Sequence, residues 1–223
     1  MSNLTLLIPA KSESESLPIF LEELKSYNHN KLIILDEKDV KTIDSIKPFE
    51  NVDILNQKKS GYGNALIEGI NHIKTEFFCI INADGSMNPS EIEGMLNEIK
   101  INQLDIVFGS RYMKNAGSED DDFITLIGNY IFTFLGKIFF NLRISDILYT
   151  YLIGKTQKIK ELDLVSGDFS FCVELPIKVQ RKNLKYSTYA CYERKRIAGK
   201  KKVSPFLDGI KILFGMINLF LKR

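Results

Sequence analysis

The stretch at residues 77–92 reads FFCIINADGSMNPSEI and places an apolar run directly before Asn82, Asp84 and Ser86. A buried strand that ends on a carboxylate and a glycine is typical of the floor of an active site in an α/β protein. Two interpretations fit these residues. Oxygen atoms of Asp84, with Ser86 or Asn82 nearby, could hold a divalent metal, with Asn82 in place of one carboxylate, or Asp84, Ser86 or Asn88 could simply cap the helix that begins near Pro89.

Short apolar runs alternate with amphipathic stretches on both sides of this segment. The predicted strands span residues 4–9, 31–36, 52–56, 77–82, 104–110 and 184–193, and the predicted helices span residues 14–27, 61–73, 89–101 and 169–182. Such alternation predicts an α/β fold with crossover connections and a mostly parallel sheet. Ligands of these sheets bind at the carboxyl ends of the strands. The polar residues expected there follow Ile8, Leu35, Ile81 and Phe108.

The composition indicates a globular protein of 223 residues, enough for one large domain or two small ones. Apolar residues make up 44% and charged residues 26%, and the net charge of +2 does not suggest a nucleic-acid partner. The three cysteines are scattered and lack CxxC spacing, which predicts a reducing compartment and argues against a zinc site. The N-terminal stretch lacks the basic region of a signal peptide, so we expect a cytoplasmic protein.

Two segments of the second half are far more apolar than the rest, residues 123–143 and 205–223. The first is long enough to span a bilayer, but Asn129 and Lys137 interrupt it, so we expect a buried or membrane-surface helix. The basic run ERKRIAGKKK at 193–202 precedes the second segment. Taken alone it could be a solvated loop, but basic residues beside an apolar helix indicate a membrane surface.

Two further features could bind phosphate. The glycine-rich turn KSGYGN at 59–64 begins a predicted helix, where backbone N–H groups can face phosphate oxygens, although a simple tight turn has the same sequence. Arg111 follows a predicted strand directly, where it could clamp a phosphate or form a salt bridge at a loop edge.

The order of these motifs resembles that of the family 2 glycosyltransferases, especially the polyprenol-phosphate mannose synthase branch. FFCIINADGSMNPSEI occupies the place of that family's DxD segment. The other matching segments are LLIPAKSESESLP (6–18), LIILDE (32–37), KKSGYGNALIEGI (58–70), DIVFGSRY (105–112), LRISDILYTYL (142–152), FSFCVELPIKVQRKNLKY (169–186) and RIAGKKK (196–202). The resemblance is collinear over nearly the whole chain, and the order and spacing of the motifs make it specific.

This resemblance implies the nucleotide-diphospho-sugar transferase fold called GT-A over residues 1–204, including the interfacial helix at about 123–143, followed by an amphipathic membrane-surface helix at 205–223. It implies a GDP- or UDP-hexose donor, Mg²⁺ or Mn²⁺ as cofactor, and inversion at the sugar carbon. The residues expected to bind the donor are Pro9, Ala10, Glu13, Asp36, Gly61, Asn82 and Ala83. The residues expected to hold the metal are Asn82, Asp84 and Ser86. The residues expected to act in catalysis are Asp84, Arg111, Asp146, Arg196 and Lys202.

In these terms Arg111 would face the acceptor phosphate, while Arg196 and Lys202 would close over the donor phosphates. A lipid phosphate is already an anion at neutral pH and needs positioning without a strong general base. If the acceptor were a hydroxyl, Asp146 and Glu174 would be the candidate bases.

The chain departs from the family pattern at Lys11 and Ser12, at Tyr149 and Thr150, and most clearly at Asn82, which replaces the first acid of the DxD. The amide oxygen of Asn82 can still ligate a metal or accept a ribose hydrogen bond, but one negative charge is lost. We therefore expect activity at a raised demand for Mg²⁺ or Mn²⁺.

The expected function is transfer of a hexose to a polyprenyl phosphate by a protein peripheral to the inner face of the membrane. The alternatives are transfer to a saccharide or another lipid hydroxyl, and a catalytically silent homologue that binds nucleotide or membrane.

Overall fold

The computed structural model describes residues 3–222 and contains one seven-stranded sheet in the order β3-β2-β1-β4-β7-β5-β8. The strands are β1 Leu4–Pro9, β2 Asn30–Leu35, β3 Asp53–Asn56, β4 Phe77–Ile80, β5 Ile106–Ser110, β6 Gly117–Ser118, β7 Leu152–Lys155, β8 Tyr186–Ala190 and β9 Tyr192–Glu193. The helices are α1 Ser16–Leu24, α2 Val40–Ile46, α3 Tyr62–His72, α4 Ile92–Ile101, α5 Phe123–Phe140, α6 Thr156–Lys160, α7 Phe171–Arg181 and α8 Pro205–Leu221. A short 3₁₀ turn at Pro89–Glu91 leads into α4.

The sheet is parallel except at β7, which runs antiparallel to both β4 and β5. Strand β7 therefore lies between strands β3, β2, β1 and β4 on one side of the sheet and strands β5 and β8 on the other. The predicted α/β fold with a mostly parallel sheet is therefore confirmed, with one inserted antiparallel strand.

Helices cover both faces of the sheet, because successive side chains of each strand point to opposite sides. Within β4, Cys79 belongs to the core formed with α1 and α4, while Phe78 belongs to the core formed with α3 and α7. Both side chains are fully buried, as expected for a central strand covered on two sides. The rigid sheet places the strand ends that carry polar residues along one edge.

Four elements were missing from the sequence prediction, namely α2, β6, β7 and α6. Strand β6 has only two residues. Helix α2 buries only Thr42 and Ile46, so its apolar stripe is too weak to detect. Strand β7 is four residues long and follows an irregular segment, and α6 has five residues. The predicted strand at 184–193 is in fact two strands, since β8 joins the main sheet whereas β9 pairs with β6.

Helix α5 is the one helix among residues 3–222 that is long and apolar enough to cross a membrane by length and composition. Two of its polar side chains instead tie it to the domain, since Asn129 Oδ1 accepts from the N–H of Leu148 and Thr133 Oγ1 accepts from the N–H of Ile147. The helix ends at Asn141, in the left-handed region, rather than at residue 143 as predicted. These contacts favour a helix that lies along the domain.

Helix α8 packs against α5 and α7, and its side chains Ile212 and Met216 are buried in the core beside α7. The helix begins at Pro205, where the missing N–H costs no helical hydrogen bond. The apolar segment at the end of the chain is thus docked on the domain along one side, while its other side faces outward.

Candidate active site

A cavity of about 500 Å³ opens at the carboxyl ends of β1, β2 and β4. Every site residue predicted from the sequence lines it except Asp146. The predicted residues that line it are Pro9, Ala10, Glu13, Asp36, Gly61, Asn82, Ala83, Asp84, Ser86, Arg111, Arg196 and Lys202. Residues that are far apart in the chain meet here because parallel strands end at the same edge of the sheet.

Asp84 lies in the tight turn after β4, and Gly85 makes that turn with a φ of +72°. One carboxylate oxygen, Oδ1, accepts hydrogen bonds from the Ser86 hydroxyl at 2.8 Å and from the Ser86 backbone N–H at 3.1 Å. The other oxygen, Oδ2, lies 3.5 Å from Nη1 of Arg196. Ser86, itself buried, therefore holds Asp84 in place, and one oxygen stays directed at a cation.

The amide of Asn82 lies beside two hydroxyl groups. The Tyr62 hydroxyl donates to Asn82 Oδ1 at 3.2 Å and lies 2.7 Å from the Thr150 hydroxyl oxygen. The Tyr62 ring is stacked on Phe169 with the ring centres 5.0 Å apart. Burial raises the pKa of the Tyr62 hydroxyl well above its usual range, so this group stays protonated at all physiological pH values.

The basic segment at 194–202 closes over the turn that carries Asp84. The backbone N–H of Ile197 donates to the Asp84 carbonyl at 2.9 Å, which fixes the segment directly above the carboxylate. Arg196 forms a second ion pair with Asp120 at 2.9 Å. Lys202 Nζ lies 3.5 Å from Glu13, whose pKa burial raises despite the Ser16 hydroxyl and Lys202 beside it.

Arg111 is buried in a network of carboxylates. Its Nε and Nη2 atoms donate to the two oxygens of Asp146 at 2.7 and 3.0 Å, and Nη1 donates to Glu193 at 3.1 Å. Burial raises the pKa of Glu193, and the Arg111 charge opposes that shift. Asp146 is 2% exposed and holds Arg111 from behind, so it is placed to position this arginine and not to contact a ligand.

Glu174 does not line the cavity either, although it was a candidate base. Its buried carboxylate accepts from the backbone N–H groups of Val165 and Ser166 and pairs with Lys178 at 2.8 Å. It stabilises the loop before α7 and is not available to an acceptor.

The sequence reasoning overlooked several lining residues. The additional polar ones include Gln57, Tyr62, Asp120, Asp121, Thr125, Tyr149, Thr150, Asp168, Glu193, Lys201, Asp208 and Lys211. Asp120 and Asp121 belong to an acidic run at residues 119–122. The sequence shows the charge of this run, but it does not show that the run packs against the basic segment at 194–202.

The sequence profile described as glycosyl transferase family 2 matches residues 5–163 of this chain. That match spans most of the sheet and the Asp84 turn. The chain belongs to glycosyl transferase family 2. An uncharacterized glycosyltransferase of Mycobacterium tuberculosis is similar at 20% identity, covering 92% of this chain and 91% of the relative. An uncharacterized protein of Methanocaldococcus jannaschii is similar at 22% identity, covering 95% and 89%.

Solved structures share the fold of this family 2 glycosyltransferase. Glucosyl-3-phosphoglycerate synthase from Mycobacterium tuberculosis, in complex with Mn²⁺, UDP and phosphoglyceric acid, has a TM-score of 0.69 at 10% identity. The alignment covers 97% of this chain and 78% of that structure. The GT-A fold expected from the motifs is thereby confirmed. The family is established at this level, whereas the polyprenol-phosphate mannose synthase branch is not.

The cavity of this glycosyltransferase carries more carboxylates than cations. The carboxylates are Glu13, Asp36, Asp84, Asp120, Asp121, Asp168, Glu193 and Asp208, and the cations are Lys11, Arg111, Arg196, Lys201, Lys202 and Lys211. A nucleoside diphosphate would add further negative charge, so a divalent cation that enters with it would restore the balance.

The donor atoms present fit such a cation. Within residues 3–222, no three His, Cys, Asp or Glu side chains form a group that could hold a metal unaided. Mg²⁺ characteristically takes one or two carboxylates and completes its shell with phosphate oxygens and water. Asp84 supplies one such carboxylate, with Oδ1 fixed by Ser86 and Oδ2 facing the cavity cation Arg196.

Gly61 is the N-cap residue immediately before α3, with a φ of +122°, and a Cβ atom there would lie 2.2 Å from the carbonyl oxygen of Gly167. We expect Gly61→Ala to lower the free energy of unfolding by about 2 kcal/mol, because both the left-handed backbone and the close approach oppose a side chain. Urea denaturation would measure the change. Gly209→Ala on α8 is the matched control, since its Cβ would meet nothing within 4 Å. A loss no larger than that of the control would contradict this account of the turn.

Proposed function

We propose that this protein is an inverting glycosyltransferase that moves a hexose from a GDP- or UDP-sugar to a polyprenyl phosphate at a membrane surface. The observation that carries the proposal is the reach of the cavity. It extends from Asp84 to Thr125 in the first turn of α5 and to Pro205 and Ile212 in the first turns of α8. A lipid that lies against these two helices would present its head group to the donor.

The outward faces of α5 and α8 are suited to a lipid surface. On α5 the exposed apolar side chains include Phe123, Ile124, Ile127, Tyr130, Ile131, Phe134 and Ile138. On α8 they include Phe206, Leu207, Ile210, Leu213, Phe214, Ile217 and Leu221. The two helices pack against each other, and each carries a row of exposed apolar side chains, which is the kind of surface that binds a lipid bilayer.

The described side chains support transfer to an acceptor that is already an anion. Both candidate bases for a hydroxyl acceptor, Asp146 and Glu174, are committed to internal partners. A phosphate acceptor needs no such base, only a position in line with the donor sugar. Arg196 and Lys202 are placed to stabilise the charge that develops on the leaving diphosphate.

Mg²⁺ or Mn²⁺ held by Asp84 and the donor phosphates would add Lewis-acid stabilisation of the leaving diphosphate. The solved complex of glucosyl-3-phosphoglycerate synthase with Mn²⁺ and UDP-glucose supports this part of the proposal, as does the excess of carboxylates around the cavity. We place the protein on the cytoplasmic face of the membrane, in keeping with three buried free cysteines.

The proposal is tested with vesicles that contain polyprenyl phosphate and a panel of GDP- and UDP-hexoses. We expect metal-dependent transfer of one hexose to the lipid with inverted anomeric configuration. If the hexose is transferred only to a saccharide or to a lipid hydroxyl, polyprenyl phosphate is not the acceptor. Vesicle binding without turnover of any donor would favour a catalytically silent homologue.

Membrane association should depend on the apolar faces of both helices. In an Ile131→Asp, Phe214→Asp double variant we expect vesicle affinity to fall by at least tenfold, because each side chain contributes about 1.5 kcal/mol or more when it leaves water. Cosedimentation with vesicles measures this affinity. The control is Ile101→Asp, Val165→Asp, which charges two apolar residues outside α5 and α8 that are more exposed than Ile131 and Phe214. Equal losses in both variants would contradict the assigned surface.

A further inference from the structure

The outward faces of α5 and α8 carry exposed charge of one sign only. The single charged residue of α5 is Lys137, which is exposed beside Ile138 and one turn from Phe134. Helix α8 contains Asp208 and Lys211, and of these two Asp208 is only 8% exposed and pairs with Lys211 at 3.3 Å. Within these two helices, lysine is therefore the charged residue that interrupts the exposed apolar side chains.

Further cations collect where α5, α7 and α8 end. The guanidinium of Arg181, in the last turn of α7, donates to the carbonyl of Leu219 on α8 and lies 5.8 Å from the centre of the Phe140 ring on α5. Arg143 follows the end of α5, and Lys222 follows α8 directly. We call these cations, together with the lysine of α5, the basic end of the helix pair. It consists of Lys137, Arg143, Arg181 and Lys222.

The basic end has no carboxylate partners. Among residues 3–222, none of its four side chains forms an ion pair with Asp or Glu. Residues 123–145 and 209–222 contain four Lys and Arg and no Asp or Glu, although the whole chain has 28 acidic residues against 30 basic ones. The two signs of charge are thus separated along the chain, and positive charge is left beside the apolar faces.

A cation in the last turn of a helix also stabilises the helix dipole, and Lys137 and Arg181 occupy such positions. That effect explains why cations lie at helix ends. It does not explain why exposed carboxylates are missing from the apolar faces, since a solvated surface normally mixes both signs. An anionic lipid surface accounts for both observations, because it attracts cations, repels carboxylates and receives apolar side chains.

We propose that the apolar faces of α5 and α8 and the basic end together form a binding surface for a bilayer that contains anionic phospholipids. Lysine stems lie along the apolar surface while their ammonium groups reach the lipid phosphates. The cavity opens at Thr125 and Pro205, near the start of both helices, and the basic end lies where both helices finish. Cations at that end hold the helices flat on the lipid. This inference rests on the proposed function, from which it takes the membrane contact, and it adds the charge of the lipid.

The test measures cosedimentation of the full chain with vesicles of phosphatidylcholine alone and of phosphatidylcholine mixed with phosphatidylglycerol. We expect the triple variant Lys137→Gln, Arg143→Gln, Lys222→Gln to lose at least about twentyfold in affinity for the mixed vesicles, since each cation at an anionic surface contributes about fivefold. Its affinity for phosphatidylcholine alone should stay that of wild type. The preference of wild type for mixed vesicles should vanish between about 0.1 M and about 1 M salt, as the screening length falls from about 10 Å to about 3 Å.

The matched control is Lys41→Gln, Lys74→Gln, Lys100→Gln, which removes the same charge from exposed lysines outside α5, α7 and α8. It should bind both kinds of vesicle as wild type does. Equal binding of wild type to the two kinds of vesicle, or equal losses in the two triple variants, would overturn the inference. Circular dichroism confirms that each variant is folded.

Two further measurements separate this inference from the proposed function. If wild type shows no preference for anionic vesicles but transfers a hexose to polyprenyl phosphate in phosphatidylcholine vesicles, the inference fails and the proposed function stands. If it neither binds any vesicle nor transfers the sugar, both fail. Dimers in analytical ultracentrifugation that disappear in Phe134→Asp would assign the apolar face to a second copy of the chain, which also overturns the inference.

Discussion

An Asp84→Asn variant is expected to lower kcat/KM for sugar transfer by about a hundredfold to a thousandfold, the usual cost of losing one preorganised electrostatic contact to a leaving group. The substitution removes the negative charge but keeps an oxygen that can accept from Ser86, so the turn after β4 should survive. The Mn²⁺-dependent gain in nucleotide affinity should vanish with the activity. Steady-state kinetics and calorimetry on the same preparation measure both quantities.

The control for this variant is Asp44→Asn, which neutralises an exposed carboxylate paired with Lys47 on α2, outside the cavity. It should retain wild-type kinetics. If Asp84→Asn kept the activity and the Mn²⁺ response of wild type, Asp84 would have no role in the metal site and would serve only to hold the turn through Ser86, since Asn88 is the residue that caps the helical turn at Pro89.

The second large effect is on stability and concerns Arg111. Asp146→Ala removes the carboxylate that accepts two hydrogen bonds from the Arg111 guanidinium and one from the Arg111 backbone N–H. Arg111 is only 8% exposed, so its charge would stay buried with Glu193 as the main partner. We expect the free energy of unfolding to fall by about 3–5 kcal/mol, the range for breaking a buried ion pair. Urea denaturation monitored by circular dichroism measures it.

An exposed ion pair is the matched comparison. Asp44→Ala breaks the pair with Lys47, whose side chains are 55% and 70% exposed, and should cost less than about 1 kcal/mol because solvent screens that pair. A loss of similar size at Asp146 would mean that Arg111 reaches water or a new partner, and that Asp146 does not position it.

The main features of the fold could be predicted because they depend on local patterns. The strands around Leu4–Pro9 and Phe77–Ile80 are continuous apolar runs, and the helices between them carry clear apolar stripes. Strand β7 could not be predicted, since four residues after an irregular segment carry no periodicity. Its antiparallel insertion depends on pairing with β4 and β5, which are far away in the chain.

In the candidate site, too, some features could be predicted from the sequence and others could not. The positions of Asp84 and Asp36 at strand ends followed from the alternation of strands and helices, because a parallel sheet brings those ends together. Glu13 was expected only from the family resemblance. The partners of these residues did not follow. Nothing in the sequence shows that Arg196 pairs with Asp120, or that Asp146 holds Arg111, because each pair joins segments separated by long stretches of chain.

The segment FFCIINADGSMNPSEI by itself determined a buried strand, a turn with one carboxylate, and the start of the next helix. The sequence leaves open which side chains surround the amide of Asn82. Only the tertiary structure places the Tyr62 hydroxyl against the Asn82 amide oxygen, with the Thr150 hydroxyl behind it. The physical reason is that local sequence sets backbone conformation and burial, whereas the direction of a hydrogen bond is set by the groups that the fold places around it.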